Sequence, residues 1–587
     1  MMRFKSVIVL VLFAFLAVVV YLIAPAPRID SSLDWIIDAV LLIFVIAMLI
    51  WFVILYTVDR RRPLKYHPRT PDDVSPLDFQ TLSARYPISF FNERRISSEM
   101  LEQVDLPVDE TIYLAVGSGL GSFSWVNYLR VCGATPEQIA VIGPLTTPYE
   151  NYRWLCRNSQ LFDEDRLRSD SGSTPDNIWG WPGYAVREVW QCLTQGQPGQ
   201  ALAIAWQVFA EPTLTETYTP RSGDVFRSID LEAARIGWET MLHPGFAYRI
   251  RKTDDDRYAV LYAQPGHRPR VMIARYLHVA TGYSGMHMLP DLQQYRERTG
   301  DAYRVVQAYE EHNHIYQQLV DSGGTVLIRG RGIVASQIIQ RLHEARGENP
   351  DIKILHLMRE PQVDKRRIGR ARRLIDSHWQ LQPFNWPKSA FGGQWQARLA
   401  QVEDSERAHF FDMLGGVTTA NRRAWRAITN TGLREGWYQM FFGSVMRIED
   451  DNHRLVVTVG DKNGQEAAMF ALHYIIDATG LESKLDDDLL LGDLRDQYAL
   501  DLNPQRRLSV NDSFEIQRMR NGEGRIFAAG IITAGGTYGP VDSFAGLLYA
   551  AQRSVDSLVE QGAPGLRELN ALQSTIQWAK WCWGVQP

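Results

Sequence analysis

Cysteine is scarce in this chain: Cys132, Cys156, Cys192 and Cys582 are the only four in 587 residues. No two are spaced as Cys-x-x-Cys, which argues against a dithiol redox centre, a structural zinc site and a disulfide framework, so no metal is expected. Dispersed thiols fit a reducing compartment. Net charge is slight as well, at −5, and gives no basic field for a nucleic acid. No short-period repeat runs through the chain.

Two stretches near the start lack charge altogether. Residues 6–27 and 39–58 carry no Asp, Glu, Lys or Arg and are mostly aliphatic or aromatic. A membrane-spanning helix needs ~20 apolar residues, and both runs are long enough. The first could instead be a signal peptide, but its long apolar core and the second run that follows favour a span. Arg3 and Lys5 precede the first run, and Arg60, Arg61, Arg62 and Lys65 follow the second. The loop between them has only Arg28, offset by Asp30 and Asp34. Positive flanks stay on the cytoplasmic side, so residues 1–60 read as a two-span hairpin in a lipid bilayer, with the N-terminus and the remaining chain cytoplasmic. Trp35, Trp51 and Tyr56 suit interfacial positions, and Asp38 would snorkel to the interface.

What the chain does have is glycine in two informative places. Gly117-Ser118-Gly119-Leu120-Gly121-Ser122 follows the apolar run Thr111–Val116, and a helical pattern follows it. Gly330-Arg331-Gly332-Ile333-Val334-Ala335-Ser336 follows the run Thr325–Ile328 and also precedes a helical pattern. Glycines let a backbone turn tightly and approach a pyrophosphate, and a helix N-terminus offers free N–H groups and a positive dipole end. Two such turns suggest two dinucleotides, and two dinucleotides suggest electron transfer between them.

The two turns differ. An acidic residue ordinarily closes the second strand of such a unit and binds the adenosine ribose. After the first turn that strand ends Val141-Ile142-Gly143-Pro144, and Glu150 is the nearest acid downstream. After the second, the strand ends at Arg359, and Lys365, Arg366, Arg367, Arg370, Arg372 and Arg373 follow. A guanidinium binds phosphate through paired, charge-assisted hydrogen bonds, so Arg359 points to the phosphorylated nicotinamide dinucleotide. For the later arginines a solvated helix face or a contact with anionic lipid is an equal reading.

Further along, Ala280-Thr281-Gly282-Tyr283 closes one strand and Asp477-Ala478-Thr479-Gly480 another. A last strand, Arg525–Ala529, leads through Gly530 and a glycine-rich turn into a helix expected from about Val541, so that Asp542 would stand at its N-terminus beside a flavin ring. In this order the parts resemble the two-dinucleotide flavoproteins, and more narrowly the class B flavin monooxygenases, including the N-hydroxylating ones. The resemblance rests on Gly117–Ser122, His278–Tyr283, the Ala308-Tyr309-Glu310, His312, His314 and Tyr316 approach to Gly330, Asp477–Gly480 and Phe527–Gly546. No Baeyer–Villiger-type Phe-x-Gly-x-x-x-His-x-x-x-Trp signature is present.

The resemblance implies an α/β protein with Rossmann-like FAD- and NAD(P)-binding domains, the nicotinamide domain inserted in the FAD domain. The expected division is 1–60 transmembrane hairpin, 61–110 connector, 111–310 first FAD segment, 311–475 NAD(P)H domain, 476–560 second FAD segment and 561–587 Trp-rich tail. FAD would use Gly117, Gly119, Gly121, Ser122, Gly282, Gly530 and Asp542. NADPH would use Gly330, Arg331, Gly332, Ala335, Ser336 and Arg359. Gly480, at the return to the second FAD segment, is a further cofactor-binding residue. By analogy with the Asp-Pro-Thr/Ser loop of the N-hydroxylases, Asp170, Ser173 and Asn177 are placed at the flavin or substrate edge, with an ordinary surface turn as the alternative. His312 and His314 are open to a proton-relay or a structural reading. Trp578, Trp581 and Trp583, with Lys580, are open to membrane contact or core packing. The expected activity is a membrane-anchored FAD oxidoreductase reduced by NADPH and acting on a small or lipophilic substrate. Monooxygenation is the first reading by resemblance; reduction of a quinone or other lipophilic acceptor and a non-catalytic nucleotide-binding membrane sensor or scaffold are the alternatives.

Overall fold

The structure is a computed structural model. It describes residues 92–587 except 104–105, 168–175, 210–217, 265, 360–390, 392, 415–421, 452–453, 462 and 540. The expected hairpin at 1–60 lies outside the described residues. Within them, no helix is long and apolar enough to cross a membrane.

The chain builds two large sheets, and the second is inserted in the sequence of the first. In the first sheet the strands lie in the order Arg95–Ile96, Phe246–Thr253, Tyr258–Ala263, Arg270–Val279, Val108–Val116, Ile139–Gly143 and Leu242–Pro244. Val108–Val116 runs parallel to both Ile139–Gly143 and Arg270–Val279. Apolar residues crowd its carboxyl half because that half is covered on both faces. Helix Leu120–Val131 covers one face and buries Phe123, Trp125, Val126 and Leu129, with helix Phe544–Glu560 packed beside it.

The long strand Arg270–Val279 forks the sheet. Its first half pairs with Tyr258–Ala263, antiparallel. Its second half, Tyr276–Val279, pairs with the late strand Arg525–Ala528, parallel.

The second sheet is wholly parallel, in the order Tyr438–Phe442, Ile352–Met358, Gly324–Arg329, Tyr474–Asp477 and Val305–Gln307. Helices Asn313–Ser322, Ile333–Arg346 and Arg422–Glu435 cover one face through Leu319, Ile338, Leu342 and Trp425. Helix Pro290–Thr299 and a three-stranded antiparallel sheet (Ser444–Asp451, Arg454–Gly460, Glu466–Leu472) cover the other. The chain crosses between the large sheets twice, and the crossings pair with each other as Gly285–Met286 against Leu481–Glu482.

Two boundaries move from the sequence expectation, and the tail gains structure. The stretch taken as a connector contains strand Arg95–Ile96 and helix Ser98–Gln103, and the strand joins the first sheet beside Lys252 and Thr253. The second unit starts before residue 311, since Pro290–Thr299 packs on it and Val305–Gln307 is its edge strand. The tail forms helix Ala571–Cys582, capped by the Asn570 side chain.

His278 is an unusual buried group in the first sheet. It stacks on Trp125 at 5.0 Å and 12° between planes, and neither ring nitrogen has a hydrogen-bond partner. Burial pushes its pKa down from 6.5 to about 3. The unfolded chain therefore takes the proton first. The stability that depends on neutral His278 is whole above about pH 6.5 and is lost as the pH falls through the interval toward 3. The thermal midpoint should fall between pH 6.5 and 4 in the native protein and fall less in His278→Phe, which keeps the stacked ring without a titrating nitrogen. Equal slopes in the two proteins would remove this account.

Candidate dinucleotide sites at the two glycine turns

Both glycine turns leave a central strand and enter a helix, as their sequence context suggests. The first turn is closed by backbone contacts. The Gly117 N–H donates to the Ile142 carbonyl at 2.8 Å, and the Ala280 N–H donates to the Val116 carbonyl at 2.9 Å. Gly117 has φ +100°, and a Cβ on it would stand 2.4 Å from the Ala280 carbonyl oxygen. No other residue fits there. Gly119 is the N-cap of helix Leu120–Val131 and has no side chain to bond the first-turn N–H groups. A Cβ on Gly119 would meet nothing within 4 Å, so space lies open at the helix N-terminus. Gly121 packs against Ala280, where a Cβ would come within 2.9 Å of the alanine methyl. Ser122 is fully buried and takes the helix-packing position, while its Oγ and the nearby Thr281 Oγ1 have no hydrogen-bond partner.

The second turn repeats this construction. Gly330 has φ +122°, and a Cβ on it would stand 2.3 Å from the Ala478 carbonyl oxygen. The Ala478 N–H donates to the Arg329 carbonyl at 2.7 Å. Gly332 is the N-cap of helix Ile333–Arg346, again without a side chain to cap it. Ala335 and Ser336 are buried against the sheet, and Arg331 is half-exposed on the turn. The Ala-Thr-Gly echo of the sequence thus has a physical cause: each alanine lies directly behind the first glycine of one turn. Gly282 and Gly480 follow these alanines with φ of +81° and +124°.

The residues at the ends of the neighbouring strands differ. Gly143 takes the place of the usual ribose-binding acid, because a Cβ there would collide with Ser118 at 2.4 Å. The Ser118 Oγ instead accepts the Leu145 N–H at 2.9 Å. In the second unit Arg359 follows strand Ile352–Met358 directly and is exposed.

Two further groups shape the second turn: His356, which the sequence reading did not single out, and Asp477, which it quoted only as the start of a motif. His356 is buried, with Nε2–H donating to the Gly330 carbonyl at 2.5 Å and Nδ1 accepting from the Tyr438 hydroxyl at 2.8 Å. Burial lowers its pKa to about 4, so the ring is neutral and this tautomer holds the turn. Asp477 is fully buried. One carboxylate oxygen accepts the Thr479 N–H and hydroxyl at 3.0 and 2.6 Å, and the other accepts the Leu289 N–H at 2.8 Å. It ties the outgoing crossing to the returning one. Its signal in the sequence is a lone acid at the end of an apolar strand.

The C-terminal contribution is shifted. The helix after the last strand begins at Phe544, three residues later than expected, because Ser543 caps it by accepting the Gly546 N–H at 3.1 Å. Asp542 therefore stands outside the helix and accepts the Tyr283 hydroxyl at 2.7 Å, linking the two segments of the first unit. Gly530 has φ +82° and faces Leu547 of that helix.

Asp170 and Ser173 lie outside the described residues. Asn177 is buried in a turn that it organises. Its Oδ1 accepts the Trp179 and Trp181 N–H groups at 3.0 Å each, and its Nδ2 donates to Asp176 and the Trp181 carbonyl at 2.6 and 3.0 Å. All its hydrogen-bonding capacity goes into the turn. Beside it is a cavity of about 60 Å³ lined by Leu120, Phe123, Asn127, Asp176, Glu232 and Phe544, among others. Asp176 is ion-paired with Arg187 at 2.9 Å, and its pKa is raised by burial. Glu232 makes a two-pronged pair with Arg235 at 2.6 and 2.7 Å.

His312 is also structural: its ring bonds the Glu310 carbonyl and the Tyr316 hydroxyl. His314 stacks on exposed Tyr303. Trp181 packs edge-on against Trp578, and Trp179 lies tilted near Trp581 and donates to the Ser574 hydroxyl at 2.9 Å. Two of the three closing tryptophans thus meet this turn.

No protein-family model matches the sequence, and comparison with curated proteins gives no match. Solved structures do share the fold. An ornithine hydroxylase from Pseudomonas aeruginosa aligns over 76% of this chain and 98% of its own, at 15% identity and a TM-score of 0.53. An ornithine N-hydroxylase from Kutzneria sp. 744, solved with reduced FAD, NADP+ and L-ornithine, aligns over 77% of this chain and 100% of its own, at 14% identity and 0.53. A cadaverine monooxygenase of the desferrioxamine pathway from Erwinia amylovora, bound to FAD, aligns over 78% and 98%, at 11% identity and 0.55. The chain therefore has the mixed α/β architecture of these flavin monooxygenases.

Two neighbouring glycines should respond differently to the same change. Gly117→Ala forces a carbon into a carbonyl and should lower stability by at least about 1–3 kcal/mol. Gly119→Ala meets open space and should keep the thermal midpoint while weakening added FAD at least ~10-fold, about 1.4 kcal/mol. Unchanged FAD binding in a folded Gly119→Ala protein would mean that no diphosphate approaches this turn.

Proposed function

We propose that the chain is a membrane-anchored, FAD-dependent oxidoreductase that takes hydride from NADPH, with monooxygenase-like chemistry. The observation that carries this reading is the repeated geometry of the two nested units. Each has a glycine turn sealed by an alanine carbonyl and a helix N-terminus with a glycine N-cap. The first turn also has open space at the helix end and two buried hydroxyls without partners, which fits a diphosphate. FAD would lie on Gly117, Gly119, Gly121, Ser122, Gly282 and Gly530. The nicotinamide dinucleotide would lie on Gly330, Arg331, Gly332, Ala335, Ser336 and Gly480, with Arg359 toward its 2′-phosphate. The bound flavin would supply the redox chemistry, and the protein supplies position, polarity and exclusion of water.

Substrate polarity is where this chain parts from its neighbours. Their names specify ornithine and cadaverine. Here Asp176 and Glu232, beside the cavity, are already neutralised by Arg187 and Arg235. That arrangement favours an uncharged or lipophilic substrate over a diamine. The uncharged runs at 6–27 and 39–58 favour the same, as a two-span hairpin that keeps the redox domains on the cytoplasmic face. They also support a second reading, reduction of a quinone-like acceptor.

Full-length protein purified in mild detergent should show a flavin spectrum, and anaerobic NADPH should bleach it. A colourless protein that added FAD does not restore would overturn the enzyme reading. NADPH oxidation matched by oxygen uptake separates oxygenation from fast turnover of a soluble quinone. Arg359→Ala should weaken NADPH by ~1.5–3 kcal/mol, the range for a lost charge-assisted contact, and leave NADH nearly unchanged. Equal losses for both would refute the phosphate role.

A further inference from the structure

The terminal helix Ala571–Cys582 has two apolar faces, and one of them packs on the Asn177 turn. Its inward face carries Ser574, Trp578 and Trp581 against Trp179 and Trp181. Its other face leaves Leu572 70% exposed and Ile576 47% exposed, and Trp583, just after the helix, 55% exposed. These positions recur at helical spacing and form one stripe. No Asp or Glu occurs from Asn570 to Pro587, and Lys580 is the one charged side chain there.

We propose that this stripe lies in the headgroup layer of a lipid bilayer, so that the terminal helix is a second, monotopic contact holding the Asn177 turn against the membrane. The proposal rests on the membrane-anchored reading, for the following reason. At most ~3.5 Å per residue, residues 59–91 reach roughly 115 Å from the second uncharged run, which keeps the folded units close to the bilayer. A surface tethered at that range meets lipid at high effective concentration. The composition also suits lipid: aliphatic residues and tryptophan at the interface, a lysine that can snorkel, and no acid to repel anionic headgroups. The inward face of the same helix touches Trp179 and Trp181, in the turn whose residues Asp176, Asn177 and Ile178 line the cavity. The bilayer contact would thus place that cavity beside the phase in which a lipophilic substrate dissolves.

The test uses full-length protein in vesicles of mostly phosphatidylcholine with some phosphatidylglycerol, carrying a nitroxide on the acyl chain near the headgroup. A fluorophore is attached to Ile576→Cys; the native cysteines are all buried. Met469→Cys, 64% exposed on the far antiparallel sheet, is the surface control, and Val45→Cys reports on the hairpin. The label at 576 should lose at least about half of its fluorescence, because an interfacial helix sits ~5–10 Å into the headgroup boundary. The label at 469 should not change. A quenched label at 45 with an unquenched one at 576 overturns this inference alone. Labels at 45 and 576 both unquenched overturn the hairpin and this contact together, whereas the redox reading is judged separately by the flavin spectrum. Protection at 576 that depends on protein concentration, without lipid quenching, assigns the stripe to a second copy and also overturns the proposal.

Discussion

The architecture depends on two places where one strand end comes within a carbon's width of another. Gly117 lies against the Ala280 carbonyl, and Gly330 lies against the Ala478 carbonyl. Neither contact leaves room for a Cβ, and each sets how closely the neighbouring strands approach at their carboxyl ends. Because the strands meet so tightly, the following helices begin at the sheet edge with their N–H groups facing outward. The shape of the candidate dinucleotide sites follows from that steric limit more than from any polar side chain.

This explains what could be read in the sequence. A glycine turn after an apolar run is legible because no other residue fits, and the Ala-Thr-Gly strand ends are legible because their glycines take φ of +81° and +124°. The mixed α/β class with Rossmann-like sheets followed from the resemblance that these short signals carry. Features set by distant parts of the chain were not legible. Arg95–Ile96 is too short to register as a strand and exists only because Lys252 and Thr253 offer an edge. The helix start at Phe544 was misplaced because Ser543 caps better than the residues before it, which left Asp542 to bond Tyr283. His356 reads as an ordinary member of an apolar strand, and its role comes from Gly330, just past one neighbouring strand, and Tyr438 on the other. Asp477 stands in a quoted motif, but its tie to Leu289 comes from a distant part of the chain.

The helical side of the first unit shows a different economy of charge. Arg166 with Glu188, Arg187 with Asp176 and Arg235 with Glu232 are each at least partly buried and paired. Removing one member of such a pair would leave a buried charge without compensation, so these pairs constrain one another's surroundings more than they add stability. The result is a region rich in charged residues whose interior is close to neutral. Asn177 organises the turn beside it, and the terminal helix rests on Trp179 and Trp181 of that turn.

The forked strand has a consequence for how the chain is made. Tyr276–Val279 is the segment that presents Ala280 to the first glycine turn, and its outer edge pairs only with Arg525–Ala528. The Ala529 N–H completes the clasp on the Val279 carbonyl at 3.1 Å. During synthesis the entire second unit emerges before that partner does. Until then a buried-type strand keeps an open, apolar edge, which is the kind of surface that pairs with the wrong neighbour. The inserted unit is built from contacts within its own stretch and can close on its own schedule, whereas the first sheet must wait. The unit that begins first in the sequence is thus the last to be finished.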